Sequence, residues 1–375
     1  MSAGDGKGTE AAVDRARRTA VEVWPVACLM VIVVALCLVI EAFGSRELRS
    51  ITSNGLINLL LVIGLYIFVG NSRVLSFGHI CFAAIGAYTS AILTIPVTSK
   101  SLVLPELPGF LGSAHMSTPM ATLVAAGVAG LFALAASVPL MRMSGIAAGI
   151  ATLALLAIVQ VVAQNWTAVT GGLSTLTSIP SADVSVVDLL IWVLVGLAVA
   201  FLYQRSRFGR RLRGSSEDEV AARALGVRVE GERRFAFVLS AMVTGAAGSL
   251  YAHYLGAIAP EAFYLDLTFL IIAMLVVGGM RSLSGAVLGT FTVTALTQIF
   301  YKWESGGSVG PISLSVPSGL GQVIVAFLLL IVLLVRPDGL TGSAEIPLPK
   351  RLRPRRRDDA TPPASPPVPE PAARR

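Results

Sequence analysis

The sequence predicts an all-α polytopic membrane protein with about ten transmembrane helices and both termini in the cytoplasm. Hydrophobic residues make up 54% of the 375 residues, charged residues only 14%, and the mean hydropathy of +0.76 is too high for a soluble protein of this length. The apolar residues form runs close to the roughly 20 residues that a helix needs to cross a bilayer. Lys and Arg are concentrated in alternate loops between these runs, as the positive-inside rule requires.

Each predicted span is an apolar run that ends at charged residues, glycine or proline. The second and eighth runs are shorter than a full span, so the predicted number of helices is about ten. The first run is retained as a span rather than a signal peptide, because it is longer than the apolar core of a signal and no small-residue cleavage site follows it. The predicted spans are 23–43, 54–70, 77–95, 119–141, 145–163, 185–203, 235–255, 267–280, 284–301 and 319–335.

The distribution of basic residues sets the orientation. Of the 29 Lys and Arg residues, 25 fall on the cytoplasmic side when the N-terminus is placed there. Four precede the first span, nine lie between the sixth and seventh spans, and nine follow the tenth. The net charge of +7 therefore reports topology rather than an affinity for nucleic acid. The other three cytoplasmic residues are Arg73, Arg142 and Arg281, and the four outside are Arg46, Arg49, Lys100 and Lys302.

Three regions follow from this pattern: a cytoplasmic tail at 1–22, a transmembrane domain at 23–335 and a second cytoplasmic tail at 336–375. The second tail contains ten of the 20 prolines and nine basic residues but almost no aromatic residues, so we expect it to be disordered beside anionic headgroups. The three cysteines lie within apolar runs and lack metal-ligand spacing, so we expect them to pack as small hydrophobic residues. They are Cys28, Cys37 and Cys81.

Several classes of protein are excluded by what the predicted spans lack. Their central parts contain no Asp, Glu, Lys or Arg, so no group is available to couple transport to an ion gradient or to sense voltage. The chain has no zinc-protease, serine-protease or phosphate-binding-loop motif. We therefore predict a chain that is not an enzyme, with no catalytic residues, metal or cofactor of its own. Any energy input is expected to come from another chain.

Small and uncharged polar residues within the spans have two open interpretations. Small residues at helix-contact spacing allow helix backbones to approach closely. Polar groups in a membrane need a partner or water, so they either join helices or line a passage for a neutral or zwitterionic solute. The small pairs are Ala83/Ala87, Gly86/Ser90, Gly145/Gly149 and Gly285/Gly289, and the polar residues include Asn58, Gln160, Gln164, Asn165, Thr244 and Gln298.

The predicted cytoplasmic loop at 204–234 contains a short helix. Ser216 and Glu219 form a capping box, and Gly226 supplies a left-handed stop. The acidic residues at 217–218 suit the positive end of the helix dipole. The apolar stripe of this helix needs a partner surface, which is either the headgroup layer or a groove on a cytoplasmic protein. The stripe consists of Val220, Ala221, Ala224 and Leu225.

Four short sequence blocks occur in a characteristic order. The first is VLSFGH at 74–79 with GAY at 86–88; the second is TLA at 152–154, NW at 165–166, TGG at 170–172 and IP at 179–180; the third is FGR at 208–210 with Glu219, Ala222 and ALG at 224–226; and the fourth is AAG at 246–248 with YAHY at 251–254, PE at 260–261, GG at 278–279 and Gly285. Together they resemble the inner-membrane permease subunits of branched-chain amino acid ABC importers, in particular the LivM-like branch, over residues 54–336.

The resemblance implies a permease of the bacterial plasma membrane that works in a larger assembly. Such a permease pairs with a second permease subunit, rests on two ATP-binding subunits and receives its solute from an extracytoplasmic binding protein. The predicted helix at 217–225 matches the coupling helix of that family, which favours a protein partner over lipid. The coupling candidates are Glu217, Glu219, Ala222, Leu225 and Gly226, and the candidates for the translocation path or for helix packing are Ser76, Gly78, His79, Gly86, Asn165, Thr170, Gly171 and His253.

The solute class remains open between alternatives at this stage. Branched-chain or similar hydrophobic amino acids are the leading prediction, and urea or short amides carried by the same machinery are the alternative. A membrane scaffold that only recruits a soluble partner would explain the short helix but not the small and polar residues of the spans. The sequence departs from the family at Asn71-Ser72-Arg73, where relatives often have a glycine-containing turn, and in the tail after Arg336.

A short internal similarity relates two segments 208 positions apart. Val69-Gly70-x-x-Arg73 followed by Leu75-Ser76 matches Val277-Gly278-x-x-Arg281 followed by Leu283-Ser284. A duplication would explain this match, but the matched segment is too short to establish one.

Overall fold

The computed structural model describes residues 24, 26–181, 184–304, 308–309, 312–313, 323, 327 and 339–341. Within these residues the chain is almost entirely helical, which confirms the predicted fold class. A two-residue strand at Ser308–Val309 pairs antiparallel with Ile312–Ser313. The helices are α1 (Val26–Phe43), α2 (Arg46–Ser72), α3 (Ile80–Thr94), α4 (Val97–Val103), α5 (Gly109–Gly112), α6 (Thr118–Leu140), α7 (Gly145–Asn165), α8 (Thr167–Thr170), α9 (Val186–Arg205), α10 (Arg207–Glu217), α11 (Glu219–Ala224), α12 (Val229–Leu255), α13 (Leu265–Gly278) and α14 (Leu283–Glu304), with a 3-10 turn at Pro260–Phe263.

Eight helical segments of the described chain are long and apolar enough to cross a membrane. They are α1, α2, α6, α7, α9, α12, α14 and the segment Pro260–Gly278, which joins the 3-10 turn to α13. The shorter apolar helix α3 corresponds to the third predicted span. The tenth predicted span, 319–335, lies outside the described residues apart from positions 323 and 327, and so do the two predicted tails apart from 339–341.

Helix ends differ from the predicted spans where polar residues cap or extend a helix. The second span begins at Arg46 rather than at position 54, because the Ser45 hydroxyl accepts a hydrogen bond from the Leu48 amide at 3.3 Å and caps α2. The third span begins at Ile80 rather than at position 77, because residues 73–79 form a non-helical segment. Charged side chains thus extend α2 beyond its apolar core.

The centre of the bundle is built by close approach of small residues. Helix α12 packs against α2, α3 and α6. A methyl group added at Gly86 would lie 2.0 Å from the carbonyl oxygen of Gly245, and one at Gly248 would lie 2.0 Å from that of Ala83. These glycines therefore allow α3 and α12 to touch along their backbones. Gly145 differs from the predicted packing pairs, because it starts α7 with a φ of 61° and nothing lies within 4 Å of its missing side chain.

The two ends of the bundle carry different loops. Arg73, Arg281 and Glu217 meet at one end, which we call the α11 end. Glu47 and Lys302 meet at the opposite end, with 2.9 Å between Lys302 Nζ and Glu47 Oε1. This grouping matches the predicted alternation of loops, in which the first three residues share one side of the membrane and the last two share the other. The assignment of the α11 end to the cytoplasm stays a prediction.

Candidate functional site

The predicted coupling loop contains two helices rather than one. Helix α9 ends at Arg205, and the Ser206 hydroxyl caps α10 by accepting a hydrogen bond from the Gly209 amide at 3.1 Å. A side chain at Gly209 would meet the carbonyl oxygen of Tyr203 at 2.2 Å, so glycine is required for the sharp turn between α9 and α10. The loop therefore runs down from the bundle, along α10, and returns through α11 to α12.

The predicted capping box at Ser216 is wrong. Ser216 lies inside α10, where its hydroxyl donates to the carbonyl oxygen of Arg213 at 2.7 Å. Asp218 caps α11 instead, because the chain is extended there and Asp218 Oδ1 accepts a hydrogen bond from the Ala221 amide at 2.9 Å. Glu217 consequently ends α10, and Glu219 opens α11.

The predicted stop at Gly226 is present. Its φ of 81° is left-handed, its amide donates to the carbonyl oxygen of Arg223 at 3.0 Å, and the amide of Val227 donates to that of Ala222 at 3.0 Å. Nothing lies within 4 Å of the missing side chain. Glycine is therefore favoured here by backbone conformation and not by lack of space.

Helix α11 exposes the apolar face that the sequence predicts. Val220 is 80% exposed and Leu225 is 85% exposed. Ala221 and Ala224 are exposed as well, whereas Ala222 is buried. Of the five coupling candidates, Ala222 thus packs the helix onto its own chain, and Leu225 belongs to the surface that is free to meet a partner.

Glu219 anchors α11 to the start of α12. Its carboxylate accepts hydrogen bonds from Arg223 Nη2 at 2.7 Å and from Arg233 Nη2 at 2.9 Å. Partial burial alone would raise the pKa of Glu219, but the hydrogen bonds and charges of the two arginines lower the pKa below its ordinary value. The Arg233 side chain is only 8% exposed, so the Glu219 carboxylate is needed to offset the cost of burying the arginine's charge.

Glu217 connects the same loop to two other segments at the α11 end. Its Oε1 atom contacts Nη2 of Arg73 and lies 2.8 Å from Nη2 of Arg281. Asn71 also contributes, because its Oδ1 accepts a hydrogen bond from Arg213 Nε at 2.7 Å. The Asn71-Ser72-Arg73 segment is thus where α2 attaches to α10.

Ser76, Gly78 and His79 lie in the non-helical segment before α3. His79 Nδ1 lies 2.7 Å from Ser76 Oγ, and both residues are buried. The His79 ring packs against three phenylalanine rings, with centroid distances of 5.5 Å to Phe68, 5.8 Å to Phe82 and 5.5 Å to Phe237. At Gly78 a side chain would meet the carbonyl oxygen of Thr152 in α7 at 2.3 Å. These contacts favour helix packing over a passage at this position.

Gly86 and His253 join α3 to α12. Gly86 is the close approach to Gly245 described above. The buried His253 ring lies 2.8 Å from the carbonyl oxygen of Ser249 through Nδ1 and 3.0 Å from Thr94 Oγ1 through Nε2. Among the described residues, no three His, Cys, Asp or Glu side chains gather as metal ligands would. The contacts of His253, like those of His79, favour helix packing.

Asn165, Thr170 and Gly171 shape the end of α7 and the turn after it. Thr170 Oγ1 lies 2.6 Å from the carbonyl oxygen of Ala163 and 2.8 Å from that of Trp166. Gly171 ends α8 with a φ of 76°, and the exposed Asn165 donates to the carbonyl oxygen of Val161 at 2.8 Å. The structure does not bring this group together with Ser76, Gly78 and His79, so the eight path candidates do not form one site.

Two cavities flank α7. One of about 510 Å³ lies between α3, α6 and α7, with Tyr88, Phe132 and Trp166 in its lining. The other, of about 590 Å³, lies nearer the α11 end and is lined by residues that include Arg73 and Phe269. The first lining is almost wholly aliphatic and aromatic, so the charged groups of a zwitterion would be costly to bury there. The aliphatic side chain of a branched-chain amino acid would fit this lining.

Several residues of the α11 end escaped sequence-based prediction. In the sequence, Arg73 and Arg281 indicate only topology, and Arg213 and Arg233 are only two of the nine arginines of a basic loop. The internal similarity was the one available signal, because it aligns Arg73 with Arg281. Nothing in the sequence indicated that both arginines would contact one carboxylate.

Comparison with known proteins places this architecture in a family. A family model described as the permease component of the branched-chain amino acid transport system matches residues 48–334. The chain belongs to this permease family. It is accordingly a multi-pass inner-membrane protein and a permease component of ABC transport.

Individual relatives agree with this assignment. The chain is 25% identical over 346 residues to the high-affinity branched-chain amino acid transport system permease protein LivM of Salmonella typhimurium, covering 83% of this permease and 73% of the relative. It is 32% identical over 154 residues to the probable branched-chain amino acid transport permease protein LivH of Methanocaldococcus jannaschii, covering 41% and 46%.

A third relative has a different solute in its name. The autoinducer 2 import system permease protein LsrC of Photorhabdus luminescens is 28% identical over 158 residues, covering 40% of this permease and 44% of the relative. These relatives are transport permeases rather than enzymes. No solved structure matches the chain.

Proposed function

We propose that this permease is one subunit of an ATP-driven importer for branched-chain or similar hydrophobic amino acids, coupled to separate ATPase subunits through α11. The observation that carries the proposal is the exposed apolar face of α11. Val220 and Leu225 project from a helix that is fixed at both ends, by the Asp218 cap and by the left-handed Gly226. A short, rigid apolar helix suits a groove on a folded protein.

The anchoring of α11 supports a mechanical role. A helix that transmits force must not move independently of the bundle that it drives. Glu219 ties α11 to Arg233 on α12, and α12 packs along α2, α3 and α6. A partner that displaces α11 would therefore displace the central helix of the bundle.

The nature of the partner follows from charge as well as from shape. Glu217 and Asp218 precede the apolar face, and an anionic lipid surface would repel them. The described spans contain no charge at mid-membrane that could couple transport to an ion gradient. An ATPase as the docked partner accounts for both features, with ATP bound by that partner and not by this chain.

The assembly also requires a second permease and an extracytoplasmic binding protein. The mainly apolar cavity beside α7 accepts an aliphatic side chain but contains no charged side chain to pair with the charged ends of an amino acid. We propose that the path runs between two permease subunits, where a second chain supplies polar groups. The presence of relatives named LivM and LivH supports a pairing of unlike subunits.

Branched-chain amino acids are favoured over urea and short amides. The relatives described above are named for branched-chain amino acids or for autoinducer 2, which gives the urea alternative no support. The binding protein is expected to make most of the selection among amino acids, because the described spans present no charged clamp for the solute.

Uptake by a deletion strain tests the proposal. We expect loss of leucine, isoleucine and valine uptake when the gene is deleted, recovery on complementation with the full chain, and unchanged uptake of urea. Urea loss with intact amino acid uptake would move the assignment to the alternative. Intact uptake of every amino acid in a strain without other branched-chain carriers would contradict the proposal.

A further inference from the structure

The internal sequence similarity corresponds to two helix–break–helix units. Helices α2 and α3 are separated by the break at 73–79, and helices α13 and α14 by the break at 279–282. Both breaks lie at the α11 end, because Arg73 and Arg281 reach the same carboxylate there. The two units therefore run in the same direction through the bundle.

The matched glycines are positions of close backbone approach in both units. A side chain at Gly70 would lie 2.8 Å from the carbonyl oxygen of Met280, which belongs to the other unit. One at the matched Gly278 would lie 1.9 Å from the carbonyl oxygen of Gly285. The similarity thus retains glycine where backbones touch and arginine where the units meet α10.

Glu217 is placed to hold both units at once. Its Oε1 atom contacts the first unit through Arg73 and the second through Arg281, and the carbonyl oxygen of the adjacent Ser216 accepts a further hydrogen bond from Arg73 Nη1 at 3.3 Å. Glu217 directly precedes the cap of α11, so a movement of that helix also displaces this carboxylate.

We propose that Glu217 is the joint through which α11 moves both units together, with Arg73 and Arg281 as positioning residues. All three side chains are partly exposed, at 58%, 35% and 53% respectively. Exposed ion pairs contribute little to stability, so this joint can rearrange during a transport cycle without unfolding the chain. The proposal rests on the proposed function in one respect, since a docked ATPase supplies the force.

Hydrogen exchange on the full complex in nanodiscs tests the joint without reference to transport. We expect Glu217→Gln to raise exchange in both 73–79 and 279–282 by about two- to fivefold, the range that loss of an exposed ion pair allows. Arg73→Gln should affect only the first segment and Arg281→Gln only the second. Glu47→Gln is the matched control, because it breaks an exposed ion pair between α2 and α14 at the opposite end.

Solute-stimulated ATP hydrolysis by the same complexes gives the second measurement. Glu217→Gln should remove most of the increment that leucine-loaded binding protein produces, and Glu47→Gln should retain it. Reversing all charges, with Glu217→Arg, Arg73→Glu and Arg281→Glu combined, should recover the increment, which a merely space-filling role would not allow.

Each outcome decides a different question. Unchanged hydrogen exchange in Glu217→Gln, or ATPase stimulation in that variant equal to that of the wild type, would contradict the proposal that Glu217 is the joint. A wild-type complex that shows no stimulation by any branched-chain amino acid would contradict the proposed function, while the exchange pattern would still decide whether Glu217 holds the two units.

Discussion

Glu219 on α11 and Arg233 on α12 form a hydrogen-bonded ion pair, with 2.9 Å between Glu219 Oε2 and Arg233 Nη2. The arginine side chain is almost fully buried and the carboxylate is partly exposed. A short helix that protrudes from the bundle is thereby attached to the helix at its centre. The following predictions test this attachment, the surface that it presents and the packing behind it.

Glu219→Gln should loosen α11. The neutral amide leaves the buried Arg233 guanidinium without its counter-charge, and we expect hydrogen exchange over 219–226 to rise about tenfold, as a loss of about 1.4 kcal/mol would produce. Glu230→Gln is the control, because its carboxylate lies 3.9 Å from Arg223 and anchors nothing buried. Equal exchange in the two variants would show that the ion pair does not hold α11.

The attachment should weaken only in acid. The pKa of Glu219 is lowered from its ordinary value of 4.5, so the pair stabilises the folded loop fully above about pH 5 and is lost as the pH falls through the lowered value. A spin label at Val220→Cys should keep constant mobility from about pH 8 to about pH 5 and gain mobility only as the pH falls below the ordinary carboxyl pKa of 4.5. In the Glu219→Gln background the acid step should be absent.

Gly226→Val should uncouple transport from ATP hydrolysis while membrane insertion is retained. A β-branched residue is strained at a φ of 81°, at a cost of about 1–2 kcal/mol. The backbone at position 226 would therefore leave the left-handed conformation that ends α11. Gly226→Asn is the matched control, since asparagine adopts left-handed conformations more readily. Ala222→Arg should also uncouple, because Ala222 is buried. Normal ATPase stimulation by loaded binding protein in Gly226→Val and Ala222→Arg would exclude α11 as the coupling element.

The double variant Val220→Asp and Leu225→Asp should reduce co-purification of the ATPase subunits. Two charges on the exposed apolar face would have to be desolvated in the partner's groove. Leu102→Asp provides the control, since Leu102 is 84% exposed on α4, away from α11. Retention of the ATPases by the double variant, at the level of the control, would show that another surface binds them.

Gly86→Ala should destabilise the bundle by about 1–3 kcal/mol, the usual cost of overpacking. The added methyl group would meet the Gly245 carbonyl oxygen at 2.0 Å, so α3 and α12 must separate. Gly127→Ala in α6 is the matched control, because nothing lies within 4 Å of its missing side chain. Thermal unfolding in detergent measures both, and a melting temperature for Gly86→Ala equal to that of Gly127→Ala would refute the packing argument.

Apolar length and the basic residues were sufficient to predict most of the fold. Each of the first nine predicted spans corresponds to a helix, because burial of backbone polar groups in lipid leaves few alternatives. Boundaries were less predictable where polar residues extend a helix. The start of α2 at Arg46 depends on the Ser45 cap, and the choice of Asp218 over Ser216 as the cap of α11 depends on a local extended backbone.

The candidate site was only partly predictable for a different reason. The apolar face of α11 and the stop at Gly226 are local features, and local spacing predicted both. The contacts of Glu217 with Arg73 and Arg281 join residues 144 and 64 positions apart, and no local pattern contains that information. The path candidates were drawn from separate motifs, and the fold places them in separate packing contacts.

ATP-dependent leucine uptake by proteoliposomes containing the complete complex is the most direct test of the central claim. The account predicts uptake that requires ATP and loaded binding protein and that falls about tenfold or more in the Val220→Asp and Leu225→Asp variant, the change expected if about 1.4 kcal/mol of docking energy is lost. Uptake that proceeds without ATP, or that is unaffected by the two charges on α11, would contradict it.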